Sequence, residues 1–301
     1  MLFLLLPLSI VAYYHYRPQR TAVDPDRLRA YISRLEKELA AEIAVSFYDF
    51  DTGQYFGYGD STLMHAASTM KVPVMIEVFR QAEKGRFSLR DSVLVKNQFK
   101  SIVDGSPYSL FVSEDGDSVL YALLGKRTTI GHLVEQMIIY SSNLATNLLI
   151  ERVGAREVTA TMRELGAPWI QVRRGVEDLK AYEQGLNNET TAYDLMVILR
   201  ALVENRAASP ESCRQMINIL KRQHFRHKIP AGLPDGWEVG NKTGSISGIS
   251  HDSAIVFPPD RPPYILVVLT RGIADHEVAA SAIADISRTI RESLSASTTG
   301  S

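Results

Sequence analysis

The pattern of hydrophobic and polar positions predicts strands near both ends of the chain and helices between them. Helical spacing of apolar residues predicts a first helix that begins at Asp24 or Asp26 and runs to about Ala40. The apolar segments 43–50 and 54–58 flank an Asp-Thr-Gly turn and therefore predict a β-hairpin. Near the other end, turn-rich segments separate three more predicted strands, at 237–243, 250–257 and 264–270.

Apolar residues at three- and four-residue spacing predict the helices. Residues after Ser68 are apolar on nearly every side, so this helix should be buried. Helical spacing continues from 129 to 165, with a break at 140–143, and Gly154 is expected to end the helix that follows the break. Further helices are predicted from Thr190-Thr191, from Ser209-Pro210 and from about Asp275 to Ser293.

These elements predict an α+β fold, an α/β sandwich. One antiparallel sheet is built from both termini and flanked by helices, and it stands beside an all-helical lobe. We place the α/β part at about 24–65 and 205–293, and the helical lobe at about 66–204. Residues 86–127 are expected to be irregular and residues 166–189 to form a long polar loop, because both segments are rich in breakers or polar residues.

The two ends of the chain lie outside the predicted catalytic domain, residues 24–293. The first residues, MLFLLLPLSIVAYY, resemble the hydrophobic region of a secretory signal and are short for a membrane span. No basic residue precedes this run, and no convincing small-residue cleavage site follows it. We expect export, to the periplasm or as a secreted protein, with residues 1–20 as signal peptide or N-terminal anchor. Residues 294–301 are expected to be a disordered tail.

Composition and charge exclude several classes of protein. The 33 Lys and Arg residues nearly balance the 34 Asp and Glu residues, so no nucleic-acid partner is expected. Cys213 is the only cysteine, which excludes an internal disulfide and a cysteine-based metal cluster. His251 and Asp252 lack a third nearby ligand, so we predict no metal site and no cofactor.

Ser68 and Lys71 form the first chemically informative pair. They are three positions apart at the start of the apolar helix and therefore share one helix face. A buried ammonium tends to lose its proton, and a neutral amine can accept one from a neighbouring hydroxyl. The pair predicts a serine nucleophile with a lysine partner. The S-x-x-K pattern alone is weak, because a serine cap and a lysine on an ordinary helix give the same spacing.

Two further motifs follow in order along the chain. Ser141-Ser142-Asn143 interrupts two predicted helices, and Lys242-Thr243-Gly244 lies on a predicted strand. Together with Ser68-Thr69-Met70-Lys71 they correspond to the set S-x-x-K, S-D-N and K-T-G. From about residue 24 to 293 the chain therefore resembles the class A serine β-lactamases, within the penicillin-recognising serine hydrolase family. Ser142 replaces the motif's aspartate, at a position that is structural more than chemical in that family.

The resemblance implies chemical roles for these residues. Ser68 would attack the β-lactam carbonyl after Lys71, or a loop glutamate acting through water, removes its proton. Ser141 would pass a proton to the leaving nitrogen. The N–H groups of Ser68 and Ser245 would form the oxyanion hole.

The remaining motif residues would bind substrate or support a loop. Lys242 and Thr243 would bind the substrate carboxylate, and Asn143 would bind the substrate and Lys71. Gly244 would allow the substrate to approach the backbone. Asn147 resembles the asparagine that supports the loop of the deacylating glutamate.

Two alignments compete for that glutamate, which orients the water that hydrolyses the acyl-enzyme. In one, residues 183–187 match E-x-x-L-N, with Glu183 as the base and Asn187 as the second ligand of the water, but the loop must be shortened. In the other, Arg174 and Glu189 close the loop as an ion pair and Glu177 falls near the base position. We favour Glu183, because both water ligands come with it. That neither glutamate acts as the base also stays open.

The implied function is a serine β-lactamase that opens the β-lactam amide through an acyl-enzyme on Ser68. The substrate is then a small-molecule β-lactam, and we expect a monomer. The alternative is a DD-peptidase or esterase-like hydrolase of the same family, with a peptidoglycan peptide as its partner. A catalytically inactive sensor is a further possibility, which the complete set of motif residues disfavours.

Overall fold

The computed structural model of the protein describes residues 22–295. The predicted signal or anchor segment, residues 1–20, lies outside this part of the chain, and its assignment stays a prediction. Among the residues described, no helix is both long enough and apolar enough to cross a membrane.

Helices and strands alternate in blocks along residues 22–295. The helices are α1 Pro25–Leu39, α2 Lys71–Glu83, α3 Ile130–Ile139, α4 Asn143–Val153, α5 Ala155–Glu164, α6 Leu179–Glu183, α7 Ala192–Val203, α8 Pro210–Lys221 and α9 His276–Ser295. The long strands are β1 Glu42–Asp49, β2 Tyr55–Tyr58, β9 Glu238–Ile246, β10 Ile249–Phe257 and β11 Tyr264–Arg271. The short strands are β3 Met64–His65, β4 Ser92–Leu94, β5 Phe99–Lys100, β6 Pro107–Tyr108, β7 Arg127–Thr129 and β8 Glu189–Thr190.

The long strands form one five-stranded antiparallel sheet in the order β2-β1-β11-β10-β9. Successive residues of a strand point to opposite faces, so the sheet contributes to two cores. On β11, Leu266 and Val268 join the core that contains residues of α1 and α9. Ile265 and Val267 join the core formed with α7, α8 and the helices beyond them. The α+β fold, with one sheet built from both termini, is therefore confirmed.

Side-chain caps fix where several helices begin. Asp24, rather than Asp26, caps α1, because its Oδ1 accepts hydrogen bonds from the N–H groups of Asp26 and Arg27 at 3.0 and 3.1 Å. Thr191 caps α7 and Ser209 caps α8, as the sequence predicted.

The structure adds detail to the predicted organisation at four places. Helix α7, which the predicted helical lobe includes, packs on β1 and β11 and also on α8. Leu294 is buried within α9, so the helix continues through the predicted start of the tail; residues 296–301 lie outside the described part. The supposed loop at 166–189 contains α6, which is too short to show helical periodicity. The segment 86–127, predicted to be irregular, contains the short strands β4, β5 and β6 and ends at the first residue of β7.

Candidate active site

The three sequence motifs converge on one cleft between the sheet and the helical lobe. Its volume is about 1040 Å³. Its lining includes residues from every motif: Ser68, Ser141, Asn143, Thr243, Gly244 and Ser245. Residues far apart in the sequence thus reach a common space.

Ser68 lies in a short 3-10 helix, Ala67–Met70, that runs directly into α2. Helix α2 is buried almost throughout its length, as its all-round apolar pattern predicted. Ala67, just before the serine, has φ of 45°, in the left-handed region that costs an alanine conformational energy. Its N–H donates to Nδ1 of His65 at 3.0 Å, a contact that holds this turn in place.

Lys71 is completely buried, and its amine lies among oxygen atoms of the first two motifs. Nζ is 2.9 Å from Oγ of Ser68, 2.6 Å from the carbonyl oxygen of Ser141 and 2.8 Å from Oδ1 of Asn143. Burial lowers the pKa of Lys71 to about 7, against the opposing effect of the carboxylates of Asp115 and Glu177. Near neutral pH a substantial fraction of this amine is therefore unprotonated and able to accept a proton from Ser68.

Ser141 joins the two lysines of the site. Its φ of 61° presents the hydroxyl at the break between α3 and α4. Its Oγ is 3.2 Å from Nζ of Lys71 and 3.0 Å from Nζ of Lys242. Because the hydroxyl oxygen has two lone pairs, it can accept from both amines and still donate its own proton. Burial, and then the charge of Lys71, hold the pKa of Lys242 well below its ordinary value.

Gly244 lies against the backbone of Ser68. A Cβ atom at this position would be 2.9 Å from the amide nitrogen of Ser68 and 3.1 Å from that of Thr69. Only glycine therefore permits this approach of β9, the last strand of the sheet, to the 3-10 helix.

Lys228 is a third buried lysine beside the K-T-G strand, and sequence analysis missed it. Its Nζ donates to Oγ of Ser245 at 2.9 Å and to the carbonyl oxygens of His251 and Gly244 at 3.1 and 3.3 Å. Burial lowers its pKa to about 8, and the charge of Asp252 opposes this effect. No motif or spacing marks this lysine in the sequence, because its contacts are all made with β9 and β10.

His251 and Asp252 are structural residues of β10. Nδ1 of His251 accepts the N–H of Thr270 at 3.2 Å, and its Nε2 is 3.0 Å from the carbonyl oxygen of His65. Asp252 accepts hydrogen bonds from the side chain of Asn241 and the N–H of Ile229, both at 3.1 Å. Within residues 22–295, no group of three or more His, Cys, Asp or Glu side chains is arranged to hold a metal ion.

Of the two competing glutamates, Glu177 lies in the cleft. Its Oε1 accepts from the side-chain amide of Asn143 and its Oε2 from the N–H of Phe111, both at 3.1 Å. Burial raises the pKa of Glu177, although these two hydrogen bonds oppose the effect. Asn143 accepts a hydrogen bond from Lys71 through Oδ1 and therefore links this carboxylate to Lys71.

Glu183 lies on the exposed surface at the end of α6 and does not line the cleft. Asn187 does not line the cleft either. Its side-chain oxygen accepts a hydrogen bond from the guanidinium of Arg174 at 3.2 Å. The preference for Glu183 as the base, with Asn187 as its companion, is therefore not favoured by the placement of these residues, because Glu177 lines the cleft and they do not. The expected ion pair is also shifted by one residue, since Glu189 pairs with Arg173 at 3.0 Å and not with Arg174.

Asn147 holds the residue that precedes Glu177. Its Oδ1 accepts the N–H of Val176 at 2.6 Å, and its Nδ2 donates to the carbonyl oxygen of Val176 at 3.0 Å. The loop-supporting position expected for Asn147 therefore agrees with the contacts in the structure.

Replacing Asn147 with alanine is expected to lower kcat by about tenfold to a hundredfold, because losing two buried hydrogen bonds releases Val176 and misplaces Glu177. Acylation of Ser68 should continue, since Lys71 is not contacted by Asn147. Steady-state hydrolysis and intact-protein mass measure the two effects. Asn218→Ala, at an exposed position on α8, is the matched control and should retain parental kinetics. Equal loss of acylation and turnover in Asn147→Ala would contradict this assignment.

Comparison with known proteins gives one consistent family. A sequence profile described as "Beta-lactamase enzyme family" matches residues 27–294. A β-lactamase of Rhodobacter capsulatus is 27% identical over 263 residues, covering 86% of this chain and 85% of the relative. A β-lactamase of Citrobacter koseri is 28% identical over 253 residues, covering 82% of this chain and 81% of the relative.

A solved structure agrees with these sequence relatives. The β-lactamase of Sphaerobacter thermophilus superposes with a TM-score of 0.77 at 26% identity, covering 91% of this chain and 99% of that one. The motifs, their convergence on one cleft and these similarities together lead to a single conclusion. The chain belongs to the β-lactamase enzyme family.

Proposed function

We propose that Ser68 is the nucleophile with which this protein opens a β-lactam ring, and that hydrolysis of the resulting acyl-enzyme releases the product. β-Lactam hydrolysis by a serine enzyme of the class A type is the activity of the family to which the chain belongs. One observation carries the proposal for the nucleophile: the fully buried amine of Lys71 lies 2.9 Å from Oγ of Ser68.

Acylation begins when unprotonated Lys71 accepts the proton of Ser68. Oγ then forms a bond to the lactam carbonyl carbon, and the N–H groups of Ser68 and Ser245 stabilise the oxyanion. As the carbon–nitrogen bond breaks, Ser141 donates its proton to the departing nitrogen. The proton held by Lys71 restores Ser141, whose Oγ is 3.2 Å from Nζ of Lys71.

The positive end of the cleft suits a substrate carboxylate. Thr243 lines the cleft, and the buried amines of Lys242 and Lys228 lie behind it. The Lys228 amine donates to Oγ of Ser245, which leaves the Ser245 hydroxyl hydrogen free to donate to an anion. These hydrogen-bond donors thus favour β-lactams, whose bicyclic nucleus carries a carboxylate.

Deacylation is assigned to Glu177. As a carboxylate it can take a proton from a water molecule, whose oxygen then attacks the acyl carbon. The bond between that carbon and Oγ of Ser68 breaks, and the return of the proton from Glu177 to Oγ regenerates both groups. Its carboxylate faces the cleft beside Asn143, as a hydrolase requires. This observation disfavours the DD-peptidase alternative, and with it a peptidoglycan peptide as substrate. We also propose that the protein is exported and monomeric; the apolar start of the chain supports export.

Steady-state hydrolysis of a chromogenic cephalosporin by the purified full-length protein tests this function, with Ser68→Ala as the comparison. Sustained turnover that disappears in Ser68→Ala is expected. A single burst equal to the enzyme concentration would instead support the peptidase alternative. Turnover that persists in Ser68→Ala would refute the assignment of the nucleophile.

A further inference from the structure

Asp115 lies at the amino end of α4, although it belongs to the segment between β6 and α3. Its Oδ1 accepts the N–H of Asn143 and its Oδ2 the N–H of Leu144, both at 2.9 Å. Oδ1 also accepts the N–H of Asp117 at 3.1 Å, and Oδ2 the hydroxyl of Tyr121 at 3.0 Å. Each carboxylate oxygen therefore accepts from two donors, an arrangement that suits the ionised form.

The segment around Asp115 is pressed closely against the second motif. A Cβ atom on Gly116 would lie 2.2 Å from the carbonyl oxygen of Tyr140. The carbonyl oxygen of Glu114 accepts from the side-chain amide of Asn143 at 3.3 Å, and the N–H of Phe111 donates to Glu177. Residues 111–117 thus contact both the amide that binds Lys71 and the carboxylate assigned to deacylation.

From these contacts we propose that Asp115 is a positioning residue for the reaction: its carboxylate anchors the amino end of α4, which carries Asn143, and its negative charge acts on Lys71 and Glu177. The inference rests on the roles proposed above for those two residues. Ser142, in place of the motif's aspartate, caps α4 from inside the motif through a 3.2 Å hydrogen bond from the N–H of Ala145. The carboxylate at this helix end is supplied by Asp115, from another segment.

The charged groups around the site fix the direction of the electrostatic effect. Asp115 and Glu177 both stabilise the ammonium form of Lys71 and so raise its pKa against burial. Burial lowers the pKa of Lys242, and the positive charge of Lys71 lowers it further. Asp115 and Glu114 raise the pKa of Glu177. Neutralising Asp115 should therefore lower the pKa of both Lys71 and Glu177.

Asp117 provides a matched control. It is buried near Asp115, and its Oδ1 accepts the N–H groups of Val119 and Leu120 at 2.9 and 3.4 Å. Its Oδ2 has no hydrogen-bond partner among the described residues, so the amide that replaces the carboxylate in D117N can keep the contacts of Oδ1. The hydrogen bonds that Asp117 accepts thus come from its own segment and not from Asn143 or Lys71.

The test is the rate at which a fluorescent penicillin acylates Ser68, measured against pH in the full-length protein, D115N and D117N. The acid limb of this pH–rate profile is the range in which acylation rises as Lys71 loses its proton. In D115N we expect the acid limb to move to lower pH by about one unit, because the pKa of Lys71 falls. The maximal rate should fall about tenfold, because the amide group that replaces Oδ2 cannot accept the N–H of Leu144, and the anchor at the amino end of α4 is weakened. D117N should keep the parental acid limb. Adding Ser142→Asp to D115N should return the limb toward higher pH, because it restores a carboxylate at the same helix end.

A D115N rate that falls by the same factor at every pH, with the acid limb unmoved, would show a purely structural role and overturn the inference. If D115N fails to fold, as judged by circular dichroism, the pH profile of acylation in the single variant Ser142→Asp tests the proposal. The added carboxylate is then expected to move the acid limb to higher pH, and an unmoved limb overturns the proposed coupling. A parent protein that is not labelled at all would contradict the proposed function instead. Acylation is measured, so a failure of deacylation leaves this test intact.

Discussion

Glu177→Gln is expected to stop the reaction at the acyl-enzyme, with kcat about 10³-fold lower and Ser68 still acylated, because the variant lacks the general base. A glutamine at this position keeps the size of the side chain but cannot accept the proton of water. After mixing with a penicillin, intact-protein mass should show a stable adduct of one drug molecule. Hydrolysis by the parent protein should also decline as the pH falls through the raised pKa of Glu177, since only the carboxylate form can act.

Glu183→Gln is the control for this prediction. Glu183 is exposed at the end of α6, and its substitution should leave both turnover and the parental mass spectrum unchanged. The opposite pattern, in which Glu183→Gln stalls and Glu177→Gln turns over, would mean that the loop takes the E-x-x-L-N alignment during catalysis.

Lys71→Met is expected to lower the acylation rate by about 10³-fold, because Ser68 loses the amine that accepts its proton. Methionine preserves the apolar stem in this buried position, so most of the packing of α2 remains. In the parent, acylation should rise with pH through the pKa of Lys71, about 7, because the unprotonated amine is the active form. That rise should vanish in Lys71→Met. The acylation rate across pH, measured with a fluorescent penicillin, gives both results.

Lys37→Met, an exposed position on α1, controls for the loss of a positive charge and should retain the parental profile. Thermal unfolding of Lys71→Met separates a catalytic loss from a folding defect. If the folded Lys71→Met variant is acylated at the parental rate, Glu177 acting through water is the base for acylation.

The parts of the fold that sequence could predict depend on local patterns. Leu28 and Ile32 repeat at helical spacing, Asp24 is a capping residue, and the strands of the sheet alternate with turn signals; all of these are local properties. The apolar face of helix α7 does not identify in the sequence what it packs against. Only the fold shows that this face covers the sheet.

The contrast between local patterns and distant contacts also explains which parts of the site could be predicted from the sequence. The spacing of Ser68 and Lys71 is set by one helix, so the sequence contains it. The position of the glutamate loop is instead set by distant contacts: Asp178 accepts from Oγ of Ser101 at 2.8 Å and from the N–H of Ile102 at 2.9 Å. These contacts fix Glu177 beside Asn143, and a local match such as E-x-x-L-N does not contain them. Lys228 and Asp115 were missed for the same reason.

The most direct test of the acyl-enzyme mechanism is a time course of intact-protein mass after the full-length protein is mixed with a small excess of benzylpenicillin. We predict that an adduct on Ser68, located by peptide mapping, forms and then disappears as the free enzyme returns. Ser68→Ala should never carry the adduct. An adduct that persists in the parent until the end of the time course, or one located on another residue, would contradict the mechanism.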